Sequence, residues 1–188
     1  MNIFDIPKQY TSFCVCGDIH GEFKTLAYHL SQQKIENAVI VVAGDCGIGF
    51  EKENYYLRIY DKVSRTLKER NNFLLLIRGN HDNPEYFSDG KIDFPLMKTL
   101  PDYSILRFSE KHVLCIGGAI SIDRKYRQGK MWLDKMKGRT IRPLYWENES
   151  VIFSETTLDE ISKNGIKIDC VISVSYTHLR AHETRRHL

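Results

Sequence analysis

Continuous apolar runs alternate with amphipathic stretches through the first half of the chain. "FCVC" (13–16), "AVIVVAGD" (38–45) and "FLLLIRGNHD" (73–82) are short apolar runs, the last two closing on glycine and polar residues. Runs of that length without alternation predict strands buried on both faces. Between them the period changes. Phe23, Leu26, Ala27 and Leu30 stand at i, i+3, i+4 and i+7. Tyr56, Tyr60, Val63 and Leu67 repeat the helical spacing. Strand, helix, strand, helix, strand predicts an α/β fold with a parallel sheet and right-handed crossovers.

The second half reads differently. "SILRFS" and "KHVLCIGG" are neighbouring strands with a very short link, which predicts a hairpin. Residues 121–150 are mixed and read as a loop or lid with room for a short helix. "TLDEISKNG" reads as a helix, with a capping-box pattern Thr157…Glu160 and Gly165 at its end. "IDCVIS" is one more buried strand. No internal repeat or low-complexity linker divides the chain, so one domain is expected.

Composition narrows the class. The 188 residues are 42% apolar, enough for a sizeable core and too many for disorder. No apolar run is long enough to cross a bilayer. "MNIFDIPKQY" has no basic segment followed by an apolar one, so no signal peptide is read. The five cysteines are scattered and odd in number, which predicts reduced thiols in a cytoplasmic protein, not a disulfide frame or a CxxC zinc site. Net charge is +3, and the last fifteen residues hold three Arg against one Glu. The rest carries 24 basic and 23 acidic residues, so no nucleic-acid face is expected, and no membrane partner.

The chemistry lies where the strands end. "GDIHG" (17–21), "GDCG" (44–47) and "GNHD" (79–82) follow the three strands in order. The carboxyl ends of parallel strands are where α/β folds place their sites. Asp18, His20, Asp45, Asn80 and His81 would meet at one sheet edge. They are oxygen and nitrogen donors suited to a divalent metal, with no thiolate needed. A lone Gly-Asp is more often a turn. Three such blocks in order are far more specific.

These blocks resemble the calcineurin-like metallophosphoesterase superfamily: Asp-x-His, then Gly-Asp, then Gly-Asn-His-Asp/Glu. The resemblance implies a four-layer α/β/β/α sandwich and two divalent ions, Mn, Fe or Zn. It implies that Asp18 and His20 hold the first ion, that Asp45 bridges both, and that Asn80 holds the second. His81 would face the phosphate as general acid or transition-state stabiliser. The implied reaction is hydrolysis of a phosphate mono- or diester by a two-metal-activated water. "GGAISIDRKYR" followed by "MW" is similar to small bacterial and phage members of uncertain substrate. Asp123, Arg124 and Arg127 are then candidate substrate contacts, with a solvated charged loop as the plainer reading. Two alternatives stand beside this one. The first is a non-catalytic scaffold of the same fold. The second is a protein serine/threonine phosphatase-like enzyme, whose second block continues Gly-Asp-x-x-Asp-Arg-Gly. Ile48 and Gly49 occupy the places of that Asp and Arg.

The family pattern also has a His directly after the "CVIS" strand and a later Gly-His-x-His. Position 174 is Val, and Gly-His-x-His is nowhere in the chain. Residues 174–188, "VSYTHLRAHETRRHL", resemble translated sequencing-adapter DNA. The expectation is therefore a partial domain over 1–173, incomplete at the C-terminus, with a non-native tail over 174–188. That tail would touch the body little. The second metal site would be weak or empty, and activity low. In the rival reading His178 and His182, one helical turn apart, replace the missing ligands. His29, His112 and Cys46 read as structural, Trp132 and Trp146 as core or lid packing, and Arg78 as a neighbour of the site.

Overall fold

The computed structural model describes residues 2–140 and 143–174. The predicted strand–helix alternation is present as β2 (Ser12–Cys16), α1 (Phe23–Gln32), β3 (Ala38–Ala43), α2 (Glu53–Glu69) and β4 (Phe73–Ile77). These follow β1 (Ile3–Asp5) and precede α3 (Glu85–Ser88), β5 (Asp93–Phe94) and β6 (Met97–Leu100). Then come β7 (Ser104–Phe108), β8 (Lys111–Ile116), α4 (Arg124–Met136), α5 (Glu155–Lys163) and β9 (Cys170–Ser173). One sheet has the order β2-β3-β4-β6-β5 and the other β1-β7-β8-β9. β2, β3, β4 and β6 are parallel neighbours, and only β5 runs against them. β7 and β8 form the predicted antiparallel hairpin.

Side-chain alternation along the strands builds the layers. Ala38, Ile40 and Val42 of β3 join Leu74 and Leu76 of β4 against Phe23, Ala27, Leu30, Tyr56, Val63 and Leu67 of α1 and α2. Val39 and Val41, with Leu75 and Ile77, turn the other way and meet Leu106, Val113, Cys115 and Ile172 of the second sheet. Both faces of β3 and β4 are thus buried, which is why their sequences run apolar without alternation. On the outer face of the second sheet, Ile105 and Leu114 pack with Ile161 and Leu158 of α5. Helix, sheet, sheet, helix is the predicted α/β/β/α sandwich. Burying each of the larger aliphatic side chains contributes about 1.5–3 kcal/mol.

Several local readings are corrected. The strands β2 and β9, read as buried, lie at sheet edges with Val15 and Val171 exposed. Residues 121–150 hold not a short helix but the thirteen-residue α4, none of whose residues is buried. Apart from the half-buried Met131, the apolar side chains of α4 face solvent, so the core-facing period that marks α1 and α2 is missing there. Trp132, read as packing, is accordingly exposed. The N-cap of α5 is Ser154, three residues before Thr157: the Ser154 hydroxyl accepts from the Thr157 N–H at 3.3 Å. Gly165, at φ +68°, follows the helix end as predicted. Val174, placed in the tail, packs against the inter-sheet core, and its N–H reaches the Ile116 carbonyl at 3.4 Å. His178, His182 and His187 lie outside the described residues, as does the rest of 175–188.

Candidate metal centre

The loops after β2, β3 and β4 lie side by side at the carboxyl end of the first sheet. Asp18 N–H donates to the Gly44 carbonyl at 3.3 Å, and His20 N–H to the Asp45 carbonyl at 2.8 Å. Asp18, His20 and Asp45 all have left-handed backbone, at φ +54°, +44° and +47°. Such conformations cost of order 1–3 kcal/mol in non-glycine residues and persist where the surroundings enforce them. Here Ile19 packs into the core between two exposed neighbours, and its anchoring turns Asp18 and His20 outward. Glycine is required where the loops touch. A Cβ on Gly79 would lie 2.2 Å from the Asp45 N and Oδ1, and one on Gly47 would lie 2.3 Å from the Gly21 N.

His20, Asp45 and His81 each offer one ligand atom within 4.8 Å of the others. Asp45 is buried, 3% exposed. Its Oδ1 accepts the His81 backbone N–H at 3.1 Å. Its Oδ2 stands 4.0 Å from Nε2 of His20 and 4.0 Å from Nε2 of His81. Those separations are too long for direct hydrogen bonds. A buried carboxylate oxygen between two imidazole nitrogens, bonded to neither, suits a cation placed among them. The donor set therefore fits a divalent metal.

Asn80 is set by a chain of hydrogen bonds. Its Nδ2 donates to Ser121 Oγ at 2.9 Å, and Ser121 Oγ donates to Glu149 Oε2 at 2.6 Å. Ser121 N–H donates to Glu149 Oε1 at 2.9 Å. Glu149 is fully buried. With the amide nitrogen engaged, the carboxamide oxygen of Asn80 is left as the acceptor. Supporting bonds of this kind orient metal ligands.

Asp82 holds the block together. Its two oxygens accept four backbone N–H groups, from Cys46 at 3.0 Å, Gly47 at 2.8 Å, Ile48 at 2.8 Å and Gly79 at 2.7 Å. Burial pushes its carboxyl up to about 6 against the pull of those donors. Arg78, expected nearby without a role, is a buried clamp. It grips Asp102 through Nη2 at 2.7 Å and donates to the Glu149 and Ser150 carbonyls at 2.8 and 3.0 Å. Ser121, Glu149 and Asp102 escape sequence reading because they act on residues 24 to 41 positions away. Asp82 was visible only as the fourth letter of "GNHD".

Of the substrate-contact candidates, the structure brings Arg127 to the site. Its Nη2 lies against both ring nitrogens of His81, 3.1 Å from Nδ1. Its Nε pairs with Asp123 at 2.7 Å, and its Nη1 donates to the Leu144 carbonyl at 3.1 Å. Asp123 thus reaches the site only through Arg127. Arg124 sits over the Tyr145 ring, 5.0 Å from its centroid. Burial lowers the His81 pKa, with the Arg127 and His20 charges adding to that and Asp45 opposing it. Cys46 is buried, its thiol donating to the Ile77 carbonyl at 3.2 Å, and Ile48 is a core side chain. A cavity of about 490 Å³ runs from Asp18 and His20 along β2 and α1.

Imidazole and carboxylate donors gathered at the strand ends of an α/β/β/α sandwich define a metal-binding α/β protein. The calcineurin-like phosphoesterase family profile matches residues 11–179, and the chain belongs to that family. No curated protein matches the sequence. Among solved structures, a cold-active protein-tyrosine phosphatase of a psychrophile, Shewanella sp., is 15% identical with a TM-score of 0.28. That match covers 88% of this chain and 66% of the phosphatase, so the chain spans just under two thirds of that protein's length. No helix among the described residues is long and apolar enough to cross a membrane.

Proposed function

We propose that the chain is a metal-dependent phosphoesterase that hydrolyses a phosphate mono- or diester. The observation that carries this reading is the buried Asp45 Oδ2, which stands 4.0 Å from Nε2 of His20 and of His81 and is hydrogen-bonded to neither. In this reading Asp18 and His20 would hold one divalent ion, Asn80 would supply an oxygen to a second, and Asp45 would serve both. When bound, the ions supply Lewis-acid polarisation of a phosphoryl oxygen and a more acidic water.

The chain's own residues do the rest. Asn80 contributes an oxygen without adding negative charge, and Ser121 and Glu149 keep that oxygen turned to the site. Arg127 provides a cation where a phosphate oxygen would stand, and Asp123 and the Leu144 carbonyl hold it there. Before substrate arrives, burial and Arg127 keep the His81 ring neutral. An anionic ester bound at Arg127 would offset that charge, the His81 ring would then take up a proton from water, and it would pass that proton to the leaving oxygen.

Val174 gives a specific reason to keep a second reading. It stands where the family pattern has His, and a Cβ on Gly44 would lie 2.7 Å from its methyl groups. An apolar side chain there favours a scaffold that holds one ion well and the other poorly. The test is hydrolysis of p-nitrophenyl phosphate and bis-p-nitrophenyl phosphate with Mn²⁺ supplied. Turnover lost in Asp45→Asn and His20→Ala supports the enzyme. Turnover equal in all three proteins overturns it.

A further inference from the structure

The helix α4 is turned the wrong way for a core helix. Its half-buried residues are Arg124, Arg127, Met131 and Asp134, spaced three or four apart, so a mostly charged stripe faces the body. The opposite stripe holds Tyr126, Trp132, Leu133 and Met136, with Trp132 59% and Met136 68% exposed. Lysines 125, 130, 135 and 137 stand around that stripe, all exposed. The charge of the whole chain conceals this concentration. Residues 124–139 carry seven basic side chains against the single acid Asp134.

We propose that α4 docks the protein on an anionic lipid surface, with the Tyr126–Met136 stripe entering the headgroup boundary and the lysines meeting lipid phosphates. An exposed apolar stripe bearing Trp, with lysines beside it, is the pattern of a helix lying in a membrane interface. The lysine stems reach past the apolar stripe and leave their ammonium groups at headgroup level. A second copy of the chain fits worse, because a two-fold pairing of α4 would set lysine against lysine. Single-stranded nucleic acid also fits worse. Bases stack on aromatic rings, and although Tyr126 and Trp132 offer two, Leu133 and Met136 between and beside them give no platform. The body-facing side of the same helix carries Arg127 to His81, so the docking helix is in direct contact with the metal centre. Association of this kind needs no spanning segment.

The test uses the full chain with Trp146→Phe, which leaves Trp132 as the lone tryptophan. Vesicles of phosphatidylcholine alone are compared with vesicles also containing phosphatidylglycerol, by co-sedimentation and tryptophan emission. The expected result is binding to the anionic vesicles with a blue shift of Trp132. Leu133→Ser with Met136→Ser, and separately Lys125→Glu with Lys130→Glu, should each weaken binding by at least about tenfold. Circular dichroism checks that these surface variants remain folded. Arg180→Ser with Arg185→Ser and Arg186→Ser should leave binding unchanged. No binding to anionic vesicles overturns the proposal. Binding that the Arg variant abolishes and the α4 variants retain also overturns it. So does vesicle-independent self-association, or oligonucleotide binding, that the same α4 variants remove. None of these readouts depends on turnover.

Discussion

Ser121→Ala removes one oxygen that serves two partners. Ser121 Oγ accepts from Asn80 Nδ2 at 2.9 Å and donates to Glu149 Oε2 at 2.6 Å. Without it a fully buried carboxylate loses one of its donors, keeping the Ser121 N–H at 2.9 Å. A hydrogen bond to a charged group is worth about 1.5–3 kcal/mol, and the lost Asn80 bond adds about 1 kcal/mol. The variant should therefore be about 2.5–4 kcal/mol less stable, measured by urea denaturation of the metal-free protein. The second effect is on Asn80, whose carboxamide is then free to turn. Loss of an orienting partner costs a metal site about 10–100-fold in affinity. Mn²⁺ titration by calorimetry should show that loss. A Ser121→Ala protein that is destabilised yet binds Mn²⁺ as the wild type does would refute the assignment of Asn80 as an oriented ligand.

Three further outcomes follow from the same geometry. Asp102→Ala strips the buried Arg78 guanidinium of its carboxylate and should cost about 2–4 kcal/mol in urea denaturation, whereas an unchanged midpoint removes Arg78 as a clamp. The His81 pKa lies below its ordinary 6.5 in the fold, so between those values the unfolded chain binds the extra proton. The stability of metal-free wild type relative to His81→Asn should thus rise with pH up to about 6.5 and then level off. A difference that is flat with pH contradicts a half-buried, neutral ring. Val174→His should raise Mn²⁺ affinity roughly tenfold by adding a neutral donor beside Gly44, and no gain means the side chain at 174 does not reach the centre.

The sequence was readable wherever one residue's neighbours settle its environment. β3 and β4 are buried on both faces, so their apolar runs named them as strands, and the polar residues that end those runs named the loops that meet at the candidate site. α1 and α2 bury one face, so their period did the same. α4 escaped because its apolar residues face outward, against the rule that finds helices. β1, β5 and β6 escaped because two to four residues are too few to establish a period. The Asn80–Ser121–Glu149 chain and the Arg78–Asp102 clamp escaped for another reason. Each joins residues far apart along the chain, and no local pattern encodes which Ser, Glu or Asp will be the partner. The tail boundary at 174 rests on the strangeness of the residues that follow, and Val174 itself packs against the inter-sheet core.

The central claim is that Asp45, between His20 and His81, is the carboxylate that holds a divalent ion. Its most direct test is Mn²⁺ binding to the wild-type chain and to Asp45→Asn, followed by electron paramagnetic resonance of free Mn²⁺, with circular dichroism to verify the fold. The account predicts that the wild type removes the free-ion signal and that Asp45→Asn, folded, leaves it standing. Equal Mn²⁺ binding by the two folded proteins would contradict it.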